Sequence, residues 1–291
     1  MTVLRENVVA ARTTDTRRRP APKRTAGKWL RFALMLVITV VALIPVGVVV
    51  LLAVRPGASS TTAAPFTFEN FVHVFQATNT LVWLGNSLMV TLATVVVSIV
   101  VAAPAGYVLS RGRSKAVSGY SLLLFVVQSL PVITSVIPLF ILFAKLGLVD
   151  SLTGLGIVYV GASMSVATWM MAAYMDSIPR SLEEAAWIDG ASVFGGFVRI
   201  VLRNSLPGVL STAIFTFLVS WNDYLVAIVF IRSDDEFTLP LGVQSFFQQN
   251  IIDWGSVMAV AVVMMLPPVI VFATLNRFFS VGGIGGALAG Q

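Results

Sequence analysis

Apolar residues in this chain come in long unbroken runs rather than at strand or amphipathic-helix intervals. Residues 32–54 carry no charged side chain, and a helix needs about 20 residues to cross roughly 30 Å of hydrocarbon. Five further runs follow at about 84–109, 120–144, 154–174, 206–231 and 256–278. The pattern predicts an all-α, polytopic membrane protein with six transmembrane helices. Pro45, Pro104, Pro131, Pro138 and the pair Pro267-Pro268 all fall inside these runs. Prolines at membrane depth persist where neighbouring helices or cavity water satisfy the freed carbonyls, which points to a bundle around a pathway. Pro45 is expected to kink the first helix. That first run exceeds the roughly 7–15 apolar residues of a cleaved leader, so it is read as a retained span.

Composition supports the membrane reading. Charged residues make up 11 % of the chain, against about 25 % in soluble domains, and the mean hydropathy is +0.91. The chain has no cysteine, which excludes disulfides, thiolate metal sites and cysteine nucleophiles. The lone histidine, His73, excludes a multi-histidine metal site and is expected to be solvated in a connector. The net charge of +6 does not signal nucleic acid: nine of the 19 basic residues lie in the first 31 positions with no folded reader motif. A basic tail ahead of an apolar run is a topogenic signal attracted to anionic lipid.

Residues 1–28 are accordingly expected to form a disordered basic cytoplasmic tail, 29–278 the transmembrane domain and 279–291 a glycine-rich cytoplasmic tail. With the N-terminus inside, 16 basic residues fall in cytoplasmic segments; only Arg55, Lys145 and Arg232 fall outside, together with Asp234-Asp235-Glu236. That asymmetry satisfies the positive-inside rule with both termini cytoplasmic.

The connector 175–205 is the informative cytoplasmic segment. Ser181-Leu182-Glu183-Glu184 has the spacing of a capping box, with Ser181 as the cap and Glu184 reaching back to it. A short helix is expected through Ala185, Ala186, Trp187 and Ile188 to Asp189. Gly190 stops it by adopting the left-handed conformation. Ser192 then caps a second helix leading into the fifth span. Leu182, Ala185, Ala186 and Asp189 share one face, and its two methyl groups allow a partner backbone to come close. The polar side carries Glu183, Glu184 and Asp189, which an anionic leaflet repels, whereas a lipid-bound surface helix is basic on that side. Docking into a protein groove fits better.

Glu184-Ala185-Ala186, then Gly190 after three residues and Ile200-x-Leu202 after nine more, resemble the EAA loop of ATP-binding-cassette importer permeases. The match departs at Arg203, where that family has proline; Pro207 comes four residues later. Asn86-Ser87-Leu88, Ala105-Gly106-Tyr107, Ser220-Trp221-Asn222-Asp223-Tyr224, Asp253-Trp254-Gly255 and the glycines at 282–286 resemble the carbohydrate-uptake, maltose-type branch.

The resemblance implies a bacterial inner-membrane subunit working with a second permease subunit, two ATPase subunits and an extracytoplasmic solute-binding protein. It implies that Glu183, Glu184, Ala185, Ala186, Asp189, Gly190 and Ala191 form the ATPase-coupling helix. ATP and Mg would sit on the ATPase partners, since this chain has no phosphate-binding G-x-x-x-x-G-K-[ST] loop and no cofactor or metal site of its own.

Trp221, Asn222, Asp223 and Tyr224 would bring an aromatic plate, an amide, a carboxylate and a phenol into one helical turn, a set that suits a sugar or that bonds neighbouring helices. Asn86, Gln128 and Ser129 are further substrate-path candidates. Two other readings are a permease for a non-sugar solute and an ion-coupled secondary transporter. The second is thinly supplied, because Asp223 is the one acid well inside an expected span.

Overall fold

The computed structural model describes residues 25–56, 65–247 and 252–279; most of the basic N-terminal tail and nearly all of the glycine-rich C-terminal tail lie outside them. The described residues are helical and contain no strand. The chain divides into two compact units, one ending at Gly47 and one beginning at Val48. The described part of the first is the opening of α1 (Thr25–Ala53), apolar on all sides after Arg31 and continuous through Pro45.

In the second unit α2 (Glu69–Ala77) leads into α3 (Thr80–Arg111), the longest helix, which runs through Pro104. A helix of 32 residues is more than long enough to cross a bilayer. Next come α4 (Lys115–Ser129) and α5 (Val132–Lys145), bent by 97° at a break. The sequence predicts one span there, over about 120–144. Pro131 is the reason it breaks: it supplies no amide and forces Leu130 into extended backbone (φ −78°, ψ 125°). Thr134 Oγ1 donates to the Pro131 carbonyl at 2.7 Å and restarts the helix.

α6 (Leu152–Asp176) matches the fourth expected span. After it come α7 (Ser181–Ile188) and α8 (Val193–Gly196), which continues as a π-helical stretch over Phe197–Leu202. That segment meets α9 (Leu206–Trp221) at 76°. The fifth expected span does not reach Ile231 as one helix: α9 ends at Trp221 and α10 (Leu225–Phe230) is separate. The short α11 (Leu239–Gly242) and the long α12 (Trp254–Phe279), which contains Pro267 and Pro268, complete the fold. Among the described residues four helices are long and apolar enough to cross a membrane, or up to six spans where each bent pair counts as one.

α3 is the centre of the bundle, and its buried face is small and hydroxylic. Ser98 and Ser163 hydroxyls bond across α3 and α6 at 3.0 Å. At Gly106 an added Cβ would lie 2.7 Å from the Met171 Cβ and 2.9 Å from the Ala172 amide nitrogen, so the two helices approach more closely there than any larger residue permits. Ala102, Ala103, Met171 and Met175 pack beside it with Phe197 and Val201 of the π-helical stretch.

Candidate functional site

The elbow between α6 and α9 is built much as its residues dictate, with two differences. Helix α7 begins one residue earlier than expected: Arg180 is the N-cap with helical backbone, and its carbonyl accepts from the Glu183 and Glu184 amides at 2.9 and 3.0 Å. The expected Ser181–Glu184 capping box therefore does not form, because Ser181 is already in the first turn. Two acids in that turn, Glu183 and Glu184, suit the positive end of the helix dipole instead. The C-terminus is as expected. Gly190 has φ +90°, its amide donates to the Trp187 carbonyl and the Ala191 amide to that of Ala186, the paired bonds of a Schellman stop. Ser192 Oγ then accepts from the Gly195 amide at 3.1 Å and starts α8. The Trp187 indole lies against Gly196, where a Cβ would meet its nitrogen at 3.0 Å, so the two arms of the elbow close on each other.

The second difference is the position of the acids. Glu183 does not share an outer polar side with Glu184 and Asp189; it is 1 % exposed. Its Oε1 accepts from Arg111 Nε at 2.6 Å and its Oε2 from the Tyr107 hydroxyl at 2.8 Å. Arg111 also donates to the Ile178 carbonyl at 3.2 Å and to Ser110 Oγ at 2.9 Å. Ser110 Oγ in turn donates to Asp176 at 2.6 Å, and Arg180 donates to the Ser110 carbonyl at 3.2 Å. Arg111 and Tyr107 belong to α3, so the inner side of α7 is fastened to the end of that helix. Glu184, Ala185, Asp189 and Gly190 remain exposed, as does Leu182, while Ala186 and Ala191 are half-buried. The outward surface is thus two small side chains flanked by Glu184 and Asp189, with Ile188, Val193 and Phe194 exposed beside it.

The other candidates do not come together. Trp221 is 1 % exposed, stacks on Phe217 at 5.6 Å and donates to the Met264 carbonyl at 3.1 Å, so it is core rather than a sugar plate. Asp223 sits in the break between α9 and α10. Its Oδ2 accepts from the Tyr159 hydroxyl at 2.9 Å and from the Val226 and Ala227 amides at 3.1 Å each, which caps the start of α10, while Oδ1 lies 3.5 Å from the Val226 amide. The expected single turn holding all four side chains is therefore absent: Asn222 is exposed and bonds the Leu218 carbonyl, and the Tyr224 hydroxyl donates to Gln244 at 2.6 Å.

Asn86 donates to the Asp235 and Phe237 carbonyls at 2.7 and 2.9 Å, pinning a connector. Gln128 is exposed near the Pro131 break, and Ser129 bonds back to Phe125. His73 is exposed, as expected, but lies on α2 rather than in a loop, 3.3 Å from Ser256 Oγ. Sequence reasoning missed Arg111 and Tyr107, and it missed Asn70, whose amide ties the carbonyls of Ala53 and Arg55 to α2.

Residues 98–281, well over half the chain and including the whole elbow, match the family described as binding-protein-dependent transport system inner membrane component. The chain belongs to that family. It is therefore a multi-pass inner-membrane permease-type protein. A putative ABC transporter permease of Streptomyces antibioticus is 36 % identical over 70 % of this chain and 89 % of its own length. The sulfoquinovosyl glycerol transport system permease of Agrobacterium fabrum is 30 % identical over 91 % of this chain and 95 % of its own. Among solved structures, a chain of a bacterial ABC transporter that imports the acidic polysaccharide alginate shares the fold with a TM-score of 0.74. It is 21 % identical, with 90 % of this chain and 99 % of that one covered.

Two of the short motifs singled out in the sequence have a physical role here. In Ala105-Gly106-Tyr107 the glycine permits the α3–α6 contact and the tyrosine holds Glu183. In Asp253-Trp254-Gly255 the glycine faces the Asn70 side chain, which a Cβ would meet at 2.7 Å.

Proposed function

We propose that this chain is one permease subunit of an ATP-driven importer and lines the passage for a carbohydrate handed over by an extracytoplasmic binding protein. Its partners are a second permease subunit, two ATPase subunits carrying ATP and Mg, and that binding protein. The sugar assignment is supported by a relative named as a sulfoquinovosyl glycerol transport system permease and by a structural neighbour from a transporter that imports the acidic polysaccharide alginate. Both termini are cytoplasmic in this reading, in line with the 16-to-3 distribution of basic residues.

The observation that carries the reading is the outward face of α7: Glu184, Ala185 and Asp189 exposed on a helix closed by Gly190 at φ +90°. Small side chains let a partner groove come close, and the carboxylates meet basic residues there. Of the substrate-path candidates, Asn222, Gln128 and Ser129 keep the role best, because their side chains lie at the surface of the single chain beside the two helix breaks. The test is uptake of a labelled oligosaccharide by cells carrying Glu184→Lys or Gly190→Asp, with membrane insertion measured alongside. Both variants are expected to insert normally and lose uptake; normal uptake by both removes the docking role.

A further inference from the structure

Besides the short 177–180 link back to α6, two routes lead from α7 into the transmembrane bundle, and they differ in stiffness. The covalent route to α9 passes through Gly190 in left-handed backbone, Gly195-Gly196, the π-helical stretch Phe197–Leu202 and a 76° break. Glycines and π-turns are where helical backbone yields. The second route is not covalent and has no such weak points. Glu183, 2 % exposed at its side chain, is held by Arg111 and Tyr107 of α3, while Arg111 and Arg180 tie the α6–α7 corner to the same helix end. Charge-assisted bonds out of water are short and strong. The Tyr107 ring also packs on Phe197, with centroids 4.8 Å apart, so the joint closes on the elbow from both arms.

We infer that α7 and α3 move as one rigid body, with Glu183–Arg111–Tyr107 as the joint that carries an ATPase-driven displacement of α7 into the bundle through α3 rather than through α9. The inference rests on the importer reading above and deepens it. The two neighbouring acids then have separate duties: Glu184 faces the ATPase partner and Glu183 faces this chain's own α3. Glu183, Arg111 and Tyr107 are positioning residues, since none of them touches solute or nucleotide. Coupling between sites requires an element whose position both sites bias, and α3 qualifies because it packs along both α6 and α9.

The native chain has no cysteine, so spin labels can be placed cleanly in the assembled importer in lipid vesicles. One pair, Arg113→Cys with Ile188→Cys, spans the joint; a second, Ile188→Cys with Val219→Cys, spans α7 and α9. The 113–188 distance is expected to stay constant between the nucleotide-free and ATP-bound importer while the 188–219 distance changes. Replacing both buried charges, Glu183→Leu with Arg111→Met, preserves packing without leaving an unpaired ion. That double variant should make the 113–188 distance nucleotide-dependent and lower the solute moved per ATP hydrolysed by about tenfold. Merely losing folded protein would leave that ratio unchanged. A 113–188 distance that shifts with nucleotide in the unmodified joint, or a double variant with the normal solute-to-ATP ratio, overturns the inference. Failure of the importer reading looks different: no ATPase subunit co-purifies and neither distance responds to ATP, in which case both are overturned.

Discussion

Two acids in this chain sit beside breaks in helices, and they are handled differently. Glu183, at the α6–α7 corner, is buried against a cation, with Arg111 and Tyr107 taking its two oxygens. Asp223, between α9 and α10, forms no ion pair among the described residues; a phenol and two backbone amides donate to one of its oxygens. At the first site the burial of one acid leaves its neighbour Glu184 facing outward. At the second, one carboxylate oxygen is taken up by the fold and Trp221 is sealed into the core, so that Asn222 is the side chain left facing outward. A polar cluster at membrane depth is thus not by itself a binding site. The groups available for a partner or solute are the ones that remain after the fold has taken what its own helix ends and corners require.

The largest effect that breaks this contrast is the removal of one partner of the buried pair. Arg111→Ala leaves the Glu183 carboxylate uncompensated and should cost about 3–5 kcal/mol, read as a lowered thermal midpoint in detergent. A stability loss no larger than at Asp223 would erase the distinction. Next comes the helix contact beneath the joint. Gly106→Ala forces a methyl against Met171 and the Ala172 backbone and should cost about 1–3 kcal/mol, measured in the same assay.

Asp223 offers a sharper comparison. Asp223→Ala removes the cap of α10, at about 1 kcal/mol, whereas Asn caps about as well as Asp. Solute uptake by Asp223→Asn should therefore stay near that of the unmodified chain; its abolition with stability intact would return the residue to the substrate path.

The smallest effect lies in the connector between α5 and α6. Ser233, through its hydroxyl and amide, and then the Arg232 amide, hold the Asp150 carboxyl below its ordinary 3.8. A depressed carboxyl contributes stability above its unfolded value, and the contribution disappears as pH falls through the lower folded value. The protection of the Arg232 and Ser233 amides against exchange, relative to their intrinsic rates, should thus fall only below about pH 3.8, and Asp150→Asn should remove that step.

The long apolar runs made the spans legible, because crossing hydrocarbon requires length and apolarity that a sequence displays directly. The Gly190 stop and the Ser192 cap were legible for a similar reason, being local and chemically specific. The break at Pro131 was within reach but was hidden by five other prolines inside helices that run on, Pro45, Pro104, Pro138 and the pair at 267–268. The break at Asn222–Tyr224 carried a signal too, since an Asp three residues ahead of Val226 is a capping pattern. What sequence could not supply was the inward turn of Glu183. Its partners lie 72 and 76 positions away on α3, and only the close α3–α6 contact at Gly106 brings that helix end to the elbow.

The claim on which all this depends is that the outward face of α7 is gripped by a separate protein. A single thiol at Ala185→Cys in the otherwise cysteine-free chain measures it directly, through its rate of maleimide labelling in inside-out vesicles with and without co-expressed ATPase subunits. The account predicts rapid labelling of the chain alone and strong protection once the ATPase subunits are present. Equal labelling in both preparations, or labelling only from the opposite side of the membrane, contradicts it.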